Sequence, residues 1–130
     1  MTPLLQLLAW TTVLTFVAIL AGALFRNREW TVEGMKVGLS NRDNLPEATP
    51  LGARAVRAAT NAQESFILFV PLALTAHAVG ADEAALLGAQ VFFWARVAYL
   101  PIYWAGITVV RSLVWGVGIA GLAMMLFAII

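Results

Sequence analysis

Residues 54–72 read RAVRAATNAQESFILFVPL. The stretch opens on Arg54 and Arg57, passes Asn61 and Glu64, and is wholly apolar from Phe66 onward. At about 100° per residue, the four polar side chains fall within roughly 80° of one helix face. The second half is apolar enough for lipid, whereas the first half carries charge. Ionisable groups in a bilayer are costly, so this face must be given partners or a ligand.

The rest of the chain agrees with a membrane setting. Of 130 residues, 62% are hydrophobic and only 12% charged, and the mean hydropathy is +0.86. An ordinary soluble domain is far more polar. The net charge of +1 gives no footprint for nucleic acid. Cysteine is absent and His77 is the one histidine, which argues against a thiolate or histidine metal site and against disulfides. Any thiol chemistry must therefore use a thiol brought by a small molecule. The length fits one domain, residues 1–130.

Working outward, apolar segments cover about residues 3–25, 50–79, 82–105 and 108–130. Each approaches or exceeds the roughly 20 residues that cross a hydrocarbon core, and helices satisfy their own backbone there. The expected fold is an all-α integral membrane protein, a bundle of four transmembrane helices. The first segment has no basic start and a long apolar core, so it reads as a retained helix rather than a cleaved signal peptide. Thr49-Pro50 reads as an N-cap followed by proline in the first turn, which starts the second span at Pro50.

The first connection holds Arg26, Arg28, Lys36 and Arg42 and is rich in turn formers (Gly34, Gly38, Asn41, Asp43, Asn44 and Pro46), while the second, VGADEA, has no basic residue. Basic connections stay in the cytoplasm. Both termini and the Gly80–Ala84 turn are then expected on the other side. The polar half of the opening stretch lies at the cytoplasmic end.

Arg96, Tyr99 and Tyr103, spaced +3 and +4, share a face of the third span. Arg96 lies about 15 Å below that span's cytoplasmic end. Glu64 is the acid at matching depth, so the sequence predicts a buried Glu64–Arg96 ion pair. Such a pair can fix helix register and do nothing more. Asn61 can equally bind a neighbouring helix, the two tyrosines can mark the membrane interface, and Arg54 can meet lipid phosphates. His77 reads as solvated, the five tryptophans as belt or packing residues, and Gly116, Gly118, Ala120 and Gly121 as a close-packing surface. A functional reading rests on concentration. Arg57, Asn61, Glu64, Tyr99, Tyr103, Arg111 and Ser112 all belong to one half of the bundle. Several cations, an amide and one carboxylate would suit a ligand with two carboxylates and one amine. Glutathione has those groups and brings a thiol.

These motifs resemble the MAPEG family, the membrane-associated proteins in eicosanoid and glutathione metabolism. RAVRAATNAQESF contains the R-x-x-x-N-x-x-E pattern as Arg57, Asn61 and Glu64. ARVAYLPIYWAG resembles the third-helix motif, and VRSLVW resembles the start of the fourth helix, where Arg111-Ser112 matches the prostaglandin synthase branch. The resemblance covers nearly the whole chain. It departs at Ser65, where leukotriene C4 synthase has tyrosine, at Trp115, where the prostaglandin branch has tyrosine, and in the Tyr103–Arg111 spacing, which matches neither branch.

The resemblance implies a homotrimer with glutathione as co-substrate, bound between subunits near the cytoplasmic face. Arg57, Asn61, Glu64, Tyr99, Tyr103 and Arg111 would come from one subunit and Arg26 from the next. Arg111 and Ser112 would be catalytic, holding the thiolate. It further implies a transferase or peroxidase acting on a lipophilic small molecule, with membrane lipid as the surroundings, no metal and no nucleic acid. The short connections point to a bacterial member in the inner membrane. The alternative is a non-catalytic lipid-binding protein or accessory membrane subunit of the same fold.

Overall fold

Three threonines start three helices. The hydroxyls of Thr2, Thr31 and Thr49 accept from the backbone N–H three residues on, at Leu5 (3.3 Å), Gly34 (2.9 Å) and Gly52 (3.0 Å). Each satisfies a donor that has no partner inside the helix. In the computed structural model, which describes the whole chain from Met1 to Ile130, these helices are α1 (Pro3–Asn27), α2 (Val32–Leu39) and α3 (Pro50–Ala78). Two more follow, α4 (Asp82–Trp104) and α5 (Val109–Ile129). Asp82 and Glu83 stand in the first turn of α4, where negative charge suits the helix dipole. The four long helices begin and end within two residues of the apolar segments read from the sequence. The short α2 is an addition, since the first connection reads from the sequence as turns alone.

α1, α4 and α5 are long and apolar enough to cross a membrane. α3 has 29 residues, roughly 43 Å of helix. Its polar first half keeps it out of that group, so the expected four spans are met by three helices on composition.

The helices pack as two close pairs, α1 on α3 and α4 on α5. α3 presents a stripe of buried alanines, Ala55, Ala59 and Ala62, on the side nearly opposite its polar stripe. Gly22 of α1 lies against Ala55 and Ala59. Between α4 and α5 the backbones almost touch: a Cβ on Gly88 would stand 2.7 Å from the Gly121 carbonyl oxygen, and one on Gly121 would stand 2.7 Å from the Gly88 oxygen. Small residues permit this approach, and van der Waals contact rewards it. Gly118 and Gly121 thus pack as the sequence suggests, whereas Gly116 and Ala120 face outward.

The two ends of the bundle differ. At one end Asp82 accepts from the Thr2 hydroxyl and pairs with His77 Nδ1 at 3.0 Å, tying the start of α1 to the turn between α3 and α4. His77, read as merely solvated, is therefore held by a carboxylate. At the other end lie α2, the long connection, the start of α3, the end of α4 and the start of α5.

Candidate functional site

Arginines join α3 to α4 at that second end. Arg54 Nε donates to the Trp104 carbonyl at 3.0 Å, one of the free acceptors at the end of α4. Its guanidinium lies over Gly106, whose φ of 78° and lack of a side chain make room. Arg54 is thus a helix cap, not a free group awaiting lipid phosphate. Arg57 Nε donates to the Tyr103 hydroxyl at 3.1 Å. Arg96 Nη1 donates to Asn61 Oδ1 at 2.7 Å.

The last contact corrects the expected Glu64–Arg96 pair. The one ion pair in the chain is His77–Asp82. Arg96 is buried and turns to Asn61, while Glu64 stays exposed on the same face, three residues further along the helix. A neutral amide oxygen takes one N–H of a buried guanidinium without the desolvation of a second charge. The rest of that charge is spread over the Tyr99 ring, whose centroid is 4.1 Å away.

Beyond these contacts lies a cleft of about 390 Å³, lined by α3, α4 and α5. α3 contributes Arg57, Thr60, Asn61 and Glu64, α4 contributes Tyr99 and Tyr103, and α5 contributes Arg111, Ser112 and Trp115. Small-molecule sites run from roughly 300 to 1,000 Å³. Tyr99 and Tyr103 form the buried floor, edge to face with centroids 5.5 Å apart. Arg111 stacks over the Tyr103 ring at 4.6 Å. It stands in the first turn of α5, which has no side-chain cap, so free N–H groups and the helix dipole add positive potential there.

The hydrogen bonds fix the polarity of this cleft. A guanidinium only donates, so Asn61 must turn its oxygen to Arg96 and keep its N–H₂ for other partners. Tyr103 accepts from Arg57, so its own proton is free to donate. The cleft offers donors from Arg57, Asn61, Tyr103 and Arg111 and a single carboxylate, Glu64, which makes no ion pair within the chain.

Six residues expected to share a site, Arg57, Asn61, Glu64, Tyr99, Tyr103 and Arg111, line this cleft, and Ser112 joins them. Arg26 does not. It faces a separate groove beside Arg42 and Gln63, its Nη2 donates to the Pro46 carbonyl at 2.8 Å, and its Nη1 is buried without a partner. The structure adds Thr60 and Trp115. Their spacing carried the signal: Thr60 lies three residues after Arg57, and Trp115 four after Arg111. No three His, Cys, Asp or Glu side chains gather to hold a metal.

The model of the MAPEG family matches residues 3–130. No curated protein matches the chain significantly, and neither does any solved structure.

Proposed function

The chain belongs to the MAPEG family, and on that premise we propose that it is a membrane-bound, glutathione-dependent transferase or peroxidase acting on lipophilic electrophiles. One observation carries the reading: the cleft is rich in fixed donors and holds one unpaired carboxylate. Glutathione is the mirror of that set, with two carboxylates, one ammonium and a thiol that a chain without cysteine has to borrow. Arg57 and Asn61 grip carboxylate oxygens, and Glu64 receives the ammonium. Arg111, with the start of α5 behind it, lowers the pKa of a facing thiol and holds it as thiolate, and Ser112 donates to the sulfur. The thiol proton passes to water, and the thiolate sulfur then attacks an electrophilic carbon arriving from the lipid, the carbon–sulfur bond forming as the leaving group departs with its electron pair.

The proposal includes the setting. α3 is the fourth span, satisfied by α4, with the cleft near the cytoplasmic face and both termini on the other side of a bacterial inner membrane. All eight bases stand toward the cleft end or in that half of the bundle, which supports this orientation. Three subunits assemble so that Arg26 of one reaches the cleft of the next. Support comes from Arg26 itself, which lies outside the cleft of its own chain, in a separate groove.

Calorimetric titration of glutathione into the detergent-solubilised protein, followed by conjugation to a generic aryl halide, tests the activity. Saturable binding with conjugate formation is the expected result. Absence of both moves the protein to the non-catalytic, lipid-binding or accessory reading. Mass measurement of the intact complex tests the assembly.

A further inference from the structure

Behind the cleft wall, between α1, α3 and α4, lies a second space of about 10 Å³. It has room for about one water molecule. Its polar lining is Thr11, Thr15, Ser65 and Arg96, and the remainder is apolar apart from backbone. Arg96 is only 5% exposed, and its Nη2 meets no acceptor in the chain. Nη1 and the guanidinium face are already used, by Asn61 and Tyr99. A buried N–H without an acceptor loses its full hydration.

The three hydroxyls tell what can fill the space. Thr11 donates to the Leu7 carbonyl at 2.7 Å, Thr15 to the Thr11 carbonyl at 2.8 Å, and Ser65 to the Ala62 carbonyl at 3.0 Å. Every hydroxyl proton is committed to its own helix, so each oxygen turns lone pairs toward the space. One side therefore offers an N–H and the other offers only acceptors. A halide would meet those lone pairs, and a metal cation would meet the guanidinium. The occupant must accept from one side, donate to the other, carry no charge and be about one probe sphere in size.

We infer that this space is the site of a single structural water, which accepts from Arg96 Nη2 and donates to two of the oxygens of Thr11, Thr15 and Ser65. The water links α1 to α3 and α4 and completes the coordination of Arg96. Arg96 is then a positioning residue: it touches no ligand, but it sets the amide of Asn61 and the ring of Tyr99 that line the cleft. The water itself is independent of what the cleft binds. Its effect on binding rests on the glutathione reading.

A high-resolution crystal structure of the full chain, with a parallel bromide soak, decides the occupant. A water-sized peak within hydrogen-bond distance of Arg96 Nη2 and two hydroxyl oxygens is the expected result. An anomalous bromide signal there overturns the inference, as does a closed space with Arg96 swung to Glu64. The positioning role is read from Thr15→Val combined with Ser65→Ala, which removes two acceptors. Glutathione affinity should fall about three- to ten-fold, the worth of one hydrogen bond, with turnover at saturation unchanged. Restoring an oxygen with Thr15→Ser in the Ser65→Ala background should recover it. Unchanged affinity in the double variant overturns the positioning role. If the unaltered protein binds no glutathione, the proposed function falls, and the peak still decides the water.

Discussion

Near Phe69 and Phe92 the bundle is dry. The two rings stack with centroids 4.6 Å apart and planes 11° from parallel, packed with Leu4, Ala73, Ala89 and Met125. Toward the other end, Ala58, Ala62, Tyr99 and Tyr103 share the interior with arginine side chains that cross from helix to helix. Lipid tails are as apolar as phenylalanine, so the dry half gains little from leaving the membrane solvent. It is held by shape, through contacts that a lipid chain cannot match so closely. The polar half is held by direction. Its cations reach neutral acceptors, a carbonyl, a phenol and an amide, and leave the one nearby carboxylate free. Neutral partners keep the scaffold satisfied while the charge remains for a ligand.

The contrast can be broken most severely from the dry side. Phe69→Ala should cost about 3–5 kcal/mol in unfolding equilibria, because the cavity it leaves loses contacts outright. The surviving folded fraction should bind glutathione nearly normally, since Phe69 lines neither the cleft nor the space beside Arg96. On the polar side, Arg111→Ala should lower turnover by about 10²–10³ while the protein stays folded, as expected when a thiolate loses its main electrostatic support. Ultraviolet absorbance of bound thiolate reports the same loss directly, and a normal thiolate signal would return Arg111 to the scaffold. Arg57→Ala should differ by raising KM more than it lowers turnover, because a carboxylate grip serves ground and transition states alike.

Glu64→Gln sharpens the comparison further. An exposed carboxylate with no ion-pair partner should contribute about 0.5 kcal/mol or less to stability, although its loss should weaken glutathione binding. A loss of about 3–5 kcal/mol, the cost of breaking a buried pair, would mean that Glu64 and Arg96 do couple in the assembled protein. The smallest effect belongs to the far end: His77→Ala should leave glutathione affinity unchanged, because the His77–Asp82 contact is remote from the cleft.

Much of this was legible in the residues, for local reasons. Thr49-Pro50 announces the start of α3 because capping and a fixed proline φ depend on neighbours alone. The lining of the cleft follows from helical spacing. α2 stayed hidden because eight residues give little room for periodicity, and Gly34 and Gly38 inside it read as turn formers. The partner of Arg96 also escaped. Asn61 and Glu64 lie within one turn on the same face, and charge complementarity favoured the acid. The cost of desolvating two charges favoured the amide, and no sequence pattern weighs those two terms. Arg54 escaped for a different reason: its acceptor is a backbone carbonyl, which every residue possesses.

The Gly88–Gly121 contact has a consequence for motion. Backbones this close cannot slide without collision, so α4 and α5 move as one arm. α1 and α3 form the second arm, and the two are joined through the turn at Gly80, whose φ is 74°. The cleft sits at the opposite end, where α3 of one arm faces α4 and α5 of the other. The two arms are already tied there by Arg54 to the Trp104 carbonyl, Arg57 to the Tyr103 hydroxyl and Arg96 to Asn61. A ligand gripped by Arg57 on one arm and Arg111 on the other adds one more tie, the first to reach α5. Its arrival should slow amide exchange along the inner faces of α3 and α5 and leave the Gly80 end unaffected.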